Sequence, residues 1–222
     1  MLLLVQKSMG KDELNVIGIM LDSFRKDHLG CYGNKWIKTP NLDRFAADAT
    51  VFNHAYAEGL PTLPVRTAIF TGRYTLPFRF WQPLEMNDVL LAEVLWSKGV
   101  TTAFISDTYH GHKPHMGYER GFDYVRWIRG QENDPAVVDP NVKVDLSKWS
   151  EKNWDPTLGN EESRKKSITQ YLRNRAHWKT EEDHHVAPVM KAGMRWLEDT
   201  LSEGKNRNFF LWLDSFDPHE PW

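Results

Sequence analysis

Apolar positions along the chain fall into two periodicities. Asn15-Val16-Ile17-Gly18-Ile19-Met20-Leu21 and Asn208-Phe209-Phe210-Leu211-Trp212-Leu213 are continuous apolar runs, the pattern of strands buried on both faces of a parallel sheet. Each closes on an acid, Asp22 and Asp214. Val100 to Ile105 reads as another strand, Val51 to Ala57 as a further one, and Gly121 to Ile128 as a shorter one. Between them the spacing is helical. Thr39-Pro40-Asn41 starts a short helix through Ala49, with Leu42, Phe45 and Ala46 on one face. Thr62 stands where an N-cap belongs, Pro64 falls in the first turn, the helix runs to Phe70, and Gly72 stops it. Asn87-Asp88 caps a helix carrying Val89, Leu90, Ala92, Val94 and Leu95, which Lys98-Gly99 ends. Glu161 to Trp178 and Glu181 to Leu201 are the last two helical stretches. Strands alternating with helices predict an α/β fold, a mostly parallel central sheet sandwiched by helices.

From Gly130 to about Gly159 the periodicity lapses, and Asp134-Pro135, Asp139-Pro140 and Asp155-Pro156 punctuate a polar stretch. A long loop or lid is expected there, making residues 130–180 an insertion within one domain that spans residues 1–222. The run at Asn208 leads into Ser215-Phe216-Asp217-Pro218-His219-Glu220-Pro221-Trp222, a polar loop after a core strand, so a truncated domain is expected.

Composition narrows the class. The chain has 222 residues, enough for one domain with a substantial core, and a net charge of −2, so no broad basic field points to nucleic acid. A single cysteine, Cys31, excludes an internal disulfide and a cysteine zinc cluster. Met1-Leu2-Leu3-Leu4-Val5, closed by Lys7, is too short for a membrane span or a signal core. A soluble, cytoplasmic chain is the expectation. The 10 tryptophans follow no period, which favours packing over a stacking platform.

Candidate chemistry concentrates in Thr62-Leu63-Pro64-Val65-Arg66. A helix start offers unpaired N–H groups and partial positive charge, and Arg66, one turn after Thr62, can fork onto two oxygens of a phosphate or sulfate. The same pattern also serves ordinary helix capping. Asp22 at the carboxyl end of a buried strand is placed for a metal or a substrate, or simply opens the turn that follows. His184-His185 is expected at an exposed polar helix end rather than in a metal site.

These residues together resemble a known family. Asn15 through Gly33, with Arg25-Lys26-Asp27-His28-Leu29-Gly30-Cys31-Tyr32-Gly33, is similar to the opening strand and loop of the sulfatases, within the alkaline phosphatase superfamily. Thr39-Pro40-Asn41-Leu42-Asp43 is similar to that family's next helix start. Thr62-Leu63-Pro64-Val65-Arg66 with Thr71-Gly72-Arg73-Tyr74 resembles its Cys/Ser-x-Pro-x-Arg…Thr-Gly-Arg-Tyr signature. Asp217-Pro218-His219-Glu220-Pro221-Trp222 resembles the loop bearing its catalytic histidine. Three departures stand out. Threonine replaces the residue that the family oxidises to formylglycine. Asp22-Ser23 replaces a pair of aspartates. Ser106-Asp107-Thr108-Tyr109-His110-Gly111 replaces a Gly-Lys-Trp-His motif, leaving Thr108 and His110 as candidate substrate-binding residues.

The resemblance implies a metal-dependent hydrolase or transferase of sulfate or phosphate esters, on small molecules or glycans. Asp22 would bind a divalent cation (Ca²⁺, Mg²⁺, Mn²⁺ or Zn²⁺) with Thr62 as co-ligand, lowering the pKa of the hydroxyl. Thr62 would be the nucleophile, Arg66 would hold the anionic oxygens, and His219 would protonate the leaving group. Because threonine cannot become an aldehyde, phosphate esters gain weight. The rival is a non-catalytic member that binds an anionic ligand or a partner.

Overall fold

In a computed structural model the described residues are 2–7, 14–147, 160–202 and 208–219. The sheet is built outward from β5 (Phe209–Ser215), every residue of which is buried. On one side lies β2 (Leu14–Leu21) and beyond it β1 (Leu2–Lys7); on the other lie β3 (Thr101–Ser106) and β4 (Tyr124–Trp127), giving the order β1-β2-β5-β3-β4. β2, β5, β3 and β4 run parallel, and β1 is antiparallel to β2 with Val5 opposite Val16. The mostly parallel α/β architecture expected from the apolar runs is therefore observed.

Alternation within β5 explains its unbroken hydrophobicity. Phe210 and Trp212 join one core with Leu63, Phe70, Leu84, Leu90, Phe104 and Tyr118, while Phe209, Leu211 and Leu213 join a second with Ala103, Ile105, Val189, Ala192 and Trp196. Each face is covered by helix, so neither can be polar. The first face carries α2 (Thr62–Thr71) and α3 (Leu91–Ser97); the second carries α5 (Val186–Ser202), which buries Val189, Ala192, Gly193 and Trp196 at helical spacing. α1 (Pro40–Ala47) and α4 (Glu161–Asn174) complete the helices. No helix among the described residues is long and apolar enough to cross a membrane.

Several local expectations are corrected. Residues 51–57 form no strand: they are exposed, and the carbonyls of Phe52 and Asn53 accept from Tyr32 Oη (2.7 Å) and Lys26 Nζ (2.8 Å) instead of a neighbouring strand. The edge of β2 that such a strand could have used is taken by β1, formed from the short apolar run near the N-terminus. Asp88 does not cap a helix. It grips Arg79 through two bonds, 2.7 and 2.8 Å, and α3 begins only at Leu91. α4 ends at Asn174, short of Trp178. The last helical stretch is broken into a 3₁₀ turn, Glu181–Asp183, and α5, because Asp183 folds back onto the Thr180 N–H at 2.8 Å. His184 is exposed in that break but His185 is buried, against expectation. In the stretch expected to be a loop, residues 130–147 carry only turns, Gln131 and Asp134 are buried, and residues 148–159 lie outside the described set.

Gly18 shows how little room the Trp212 ring leaves on the sheet. It pairs with Trp212 across β2 and β5, and a Cβ built on it would approach Trp212 Cε3 to 2.2 Å. Gly18→Val is expected to lower unfolding free energy by about 1–3 kcal/mol in urea titration, the usual cost of overpacking. An unchanged midpoint would show that the Trp212 ring has room to move.

Candidate active site

β2 and β5 are neighbouring parallel strands, so their carboxyl ends lie side by side, and the Asp22 N–H donates to the Ser215 carbonyl at 3.0 Å. Each end supplies an acid, Asp22 and Asp214. α2 approaches the same edge with its first turn. Its N-cap is Pro61, with no side-chain cap bond, so Thr62 is the first helical residue rather than the cap expected from the sequence. A proline cannot offer a capping side chain, and the Thr62 hydroxyl is not used as one. α2 is held by Tyr118, whose hydroxyl contacts Thr67 Oγ1 (2.8 Å) and the Leu63 carbonyl (3.2 Å).

Arg66 is the centre of the arrangement. Its side chain is 2% exposed, and all five guanidinium N–H groups find acceptors inside the chain. Nε donates to Asp214 Oδ2 at 2.7 Å and Nη2 to Asp214 Oδ1 at 2.6 Å, a bidentate fork. Nη1 divides between Asp22 Oδ2 at 3.0 Å and the Thr62 carbonyl at 2.8 Å. Nη2 also reaches Thr108 Oγ1 at 3.4 Å, and that hydroxyl donates to Asp214 Oδ1 at 3.1 Å. Burial alone would disfavour the charge, but Asp214 and then Asp22 outweigh it and hold Arg66 above its usual pKa. The fork expected to meet a substrate oxyanion thus faces two carboxylates of the same chain.

The turn after β5 is tied from both sides. Asp107 is fully buried and accepts from Ser215 Oγ (2.8 Å) and the Phe216 N–H (2.6 Å). Burial, with Asp217 and Asp214 adding to it, raises the Asp107 pKa well above the ordinary carboxylate value despite those two bonds. Asp217 accepts from Gln131 Nε2 and from the Val186 N–H at the start of α5, both at 3.0 Å. On this anchored turn His219 stacks on Phe216, ring centroids 4.2 Å apart, and its N–H donates to the Phe216 carbonyl. His110 meets Phe216 edge-on with ring centroids 6.2 Å apart and contacts Glu132 Oε2 through Nε2 at 2.5 Å, with Trp81 at 4.7 Å. Glu132 Oε2 makes no well-directed hydrogen bond there, so the contact is one of proximity alone.

The structure therefore joins Asp22, Thr62, Arg66 and Thr108 on one guanidinium, and places His110 and His219 around Phe216, two residues beyond Asp214. Asp214 and Asp107 are the residues that sequence reasoning passed over. In the sequence Asp214 closes the second apolar run as Asp22 closes the first, and that shared pattern was the available signal. Oxygen donors suit a hard divalent cation, and while Asp22 Oδ2 meets Arg66, its Oδ1 accepts from the Ser23 hydroxyl at 3.4 Å. Among the described residues no group of three or more His, Cys, Asp or Glu could by itself hold an ion. The fit is partial.

This sheet, covered by helices on both faces and carrying acids at two adjacent strand ends, is similar in fold to solved structures of the alkaline phosphatase superfamily. A Vibrio parahaemolyticus protein of that superfamily is similar over 97% of this chain and 43% of its own, with a TM-score of 0.51 and 18% identity. The phosphonate monoester hydrolase of Agrobacterium radiobacter is similar over 93% of this chain and 41% of its own, with a TM-score of 0.61 and 21% identity. The chain belongs to the sulfatase family, whose model matches residues 14–222. Human iduronate 2-sulfatase is 30% identical over 105 residues, 45% of this chain and 19% of that protein. The chain matches about a fifth of the length of that curated relative.

One buried histidine near the site gives a test of its electrostatics. His112 is stacked between Phe104 (5.3 Å) and Trp127 (5.1 Å), its Nε2 has no hydrogen-bond partner, and burial lowers its pKa from 6.5 to about 4. The unfolded chain binds the extra proton in that window, so stability falls as pH drops from 6.5 to about 4. The loss amounts to at most about 3 kcal/mol at about 1.36 kcal/mol per unit. His112→Phe, which fills the same gap between rings, should remove this part of the acid loss when urea unfolding is compared at the two ends of the window. An identical acid loss in wild type and variant would contradict the assignment.

Proposed function

We propose that the complete protein hydrolyses, or transfers the acid group of, a sulfate or phosphate ester, with Thr62 as the nucleophile. The observation that carries this is the placement of Thr62. It opens a buried helix at the carboxyl edge of a parallel sheet, beside Asp22, with a hydroxyl that caps nothing. Family membership supports the reaction class, and iduronate 2-sulfatase is by its name a sulfatase. A glycan ester is in keeping with that relative and a small-molecule ester with the phosphonate monoester hydrolase.

In this reading the Thr62 Oγ1 gives up its proton to water and attacks sulfur or phosphorus as the bond to the departing ester oxygen breaks; water, or an acceptor hydroxyl, then displaces the group from Thr62 and restores its hydroxyl. Arg66 does not touch the ester. It fixes the Thr62 carbonyl, and with it the first turn of α2, relative to Asp22. The N–H groups of that turn face the incoming oxygens. His219, held by Phe216, supplies a proton to the leaving oxygen. Thr108 stays with Arg66 and Asp214, and His110 with Glu132, so both shape the site from behind. A divalent cation held by Asp22, with Thr62 beside it and further ligands from elsewhere in the protein, would supply positive charge at the reacting oxygen.

The full occupation of Arg66 favours one alternative, a non-catalytic protein that keeps the fold to bind an anionic ligand or a partner, since no guanidinium donor is left for an ester. Thr62 variants separate the two. Thr62→Ser should keep turnover of an aryl phosphate or aryl sulfate within about tenfold, because the hydroxyl survives. Thr62→Val, similar in shape, should abolish turnover with little change in unfolding. Mass spectrometry of quenched enzyme should find the transferred group on the Thr62 peptide. Equal activity of Thr62→Val and wild type would reject Thr62 as nucleophile, and no turnover of either ester class by wild type would favour the binding protein.

A further inference from the structure

We propose that Asp214 is the internal counter-ion of Arg66, and that by neutralising it Asp214 leaves the negative charge of Asp22 for an external divalent cation. The inference rests on the reading of Asp22 as a cation ligand and adds to it a residue with a defined task. Two acids at adjacent strand ends compete for one guanidinium. Asp214 takes the Nε–Nη2 edge with both oxygens, at 2.7 and 2.6 Å, and is only 1% exposed. Asp22 receives a single Nη1 bond at 3.0 Å, which Nη1 shares with the Thr62 carbonyl, and its side chain is 14% exposed. The side-on fork is the stronger and more directional contact. Thr108 reinforces the choice by donating to Asp214 rather than to Asp22.

The charges then follow. Arg66, Asp214 and Asp22 sum to +1 − 1 − 1 = −1, and the uncompensated charge lies on the more exposed carboxylate. With asparagine at position 214 the sum is +1 − 1 = 0. The Nε–Nη2 edge then loses an anionic acceptor and turns towards Asp22, which becomes a closed ion pair with nothing to offer a cation. Asp214 is a positioning residue: it acts through Arg66 on Asp22 and touches no substrate.

The test measures cation binding to the complete protein, with Ca²⁺ and Mn²⁺ titrated in parallel, by calorimetry and by loss of the free Mn²⁺ resonance. Asp214→Asn should weaken binding at least tenfold, with the folded circular dichroism spectrum retained. Adding Arg66→Met to Asp214→Asn restores the local sum to −1 and should bring the affinity back to within about threefold of wild type. A purely structural role for Asp214 would not be repaired by a second core substitution. Binding by Asp214→Asn within about twofold of wild type overturns the inference, as does a folded double variant that stays weak. Should Asp214→Asn alone fail to fold, the double variant decides: folding with affinity within about threefold of wild type supports the inference, and folding with weak binding overturns it. Wild type that binds neither ion removes Asp22 as a ligand and overturns the proposed function and this inference together.

Discussion

A guanidinium sealed into the edge of a parallel sheet must have all of its donors met, and meeting them fixes where three separate parts of the chain stand. Arg66 meets its donors with Asp214 from β5, Asp22 after β2, Thr108 after β3 and the carbonyl of Thr62 on its own helix. Removing one partner from a buried ion pair leaves an uncompensated charge and costs about 3–5 kcal/mol. The pairing is therefore a constraint on the fold as much as on the site. It sets the height at which α2 meets the sheet, and so the position of Thr62.

A second layer of the same kind orients the turn after β5. Asp107 follows directly on β3, next to the end of β5 that carries Asp214, but it accepts from Ser215 Oγ and the Phe216 N–H instead of from a cation. Phe216 then stacks on His219 and meets His110 edge-on. Acids at the ends of neighbouring strands thus divide the work. One neutralises Arg66, one fixes the turn, and one, Asp22, is shared between Arg66 and the Ser23 hydroxyl.

The large elements were legible because burial on both faces leaves a strand no choice but continuous hydrophobicity; β2, β3 and β5 follow their apolar runs closely. β1 is not legible, because a short apolar run at the start of the chain carries no period that marks it as a strand. Val51 to Ala57 was misread because β-branched and aromatic composition does not say whether a sheet edge is free. His185 is buried by contact with Trp178, from before the break that separates α5 from its preceding turn. At the site, the residue types were readable and their partners were not. Arg66 and Asp214 are 148 positions apart, and a Thr-x-Pro-x-Arg pattern reads the same with the fork turned outward or inward. Only the fold decides that, by bringing an acid from β5 within reach before any ligand arrives.

The central claim is that Arg66 and Asp214 act as one unit, and a double-mutant cycle on unfolding measures it directly. Arg66→Met, Asp214→Asn and the pair would be compared with wild type by urea denaturation of the complete protein. The account predicts strong non-additivity, a coupling of about 2 kcal/mol or more, with the double variant more stable than either single one. Effects that add to within about 0.5 kcal/mol would contradict it, showing that the two side chains stabilise the fold independently.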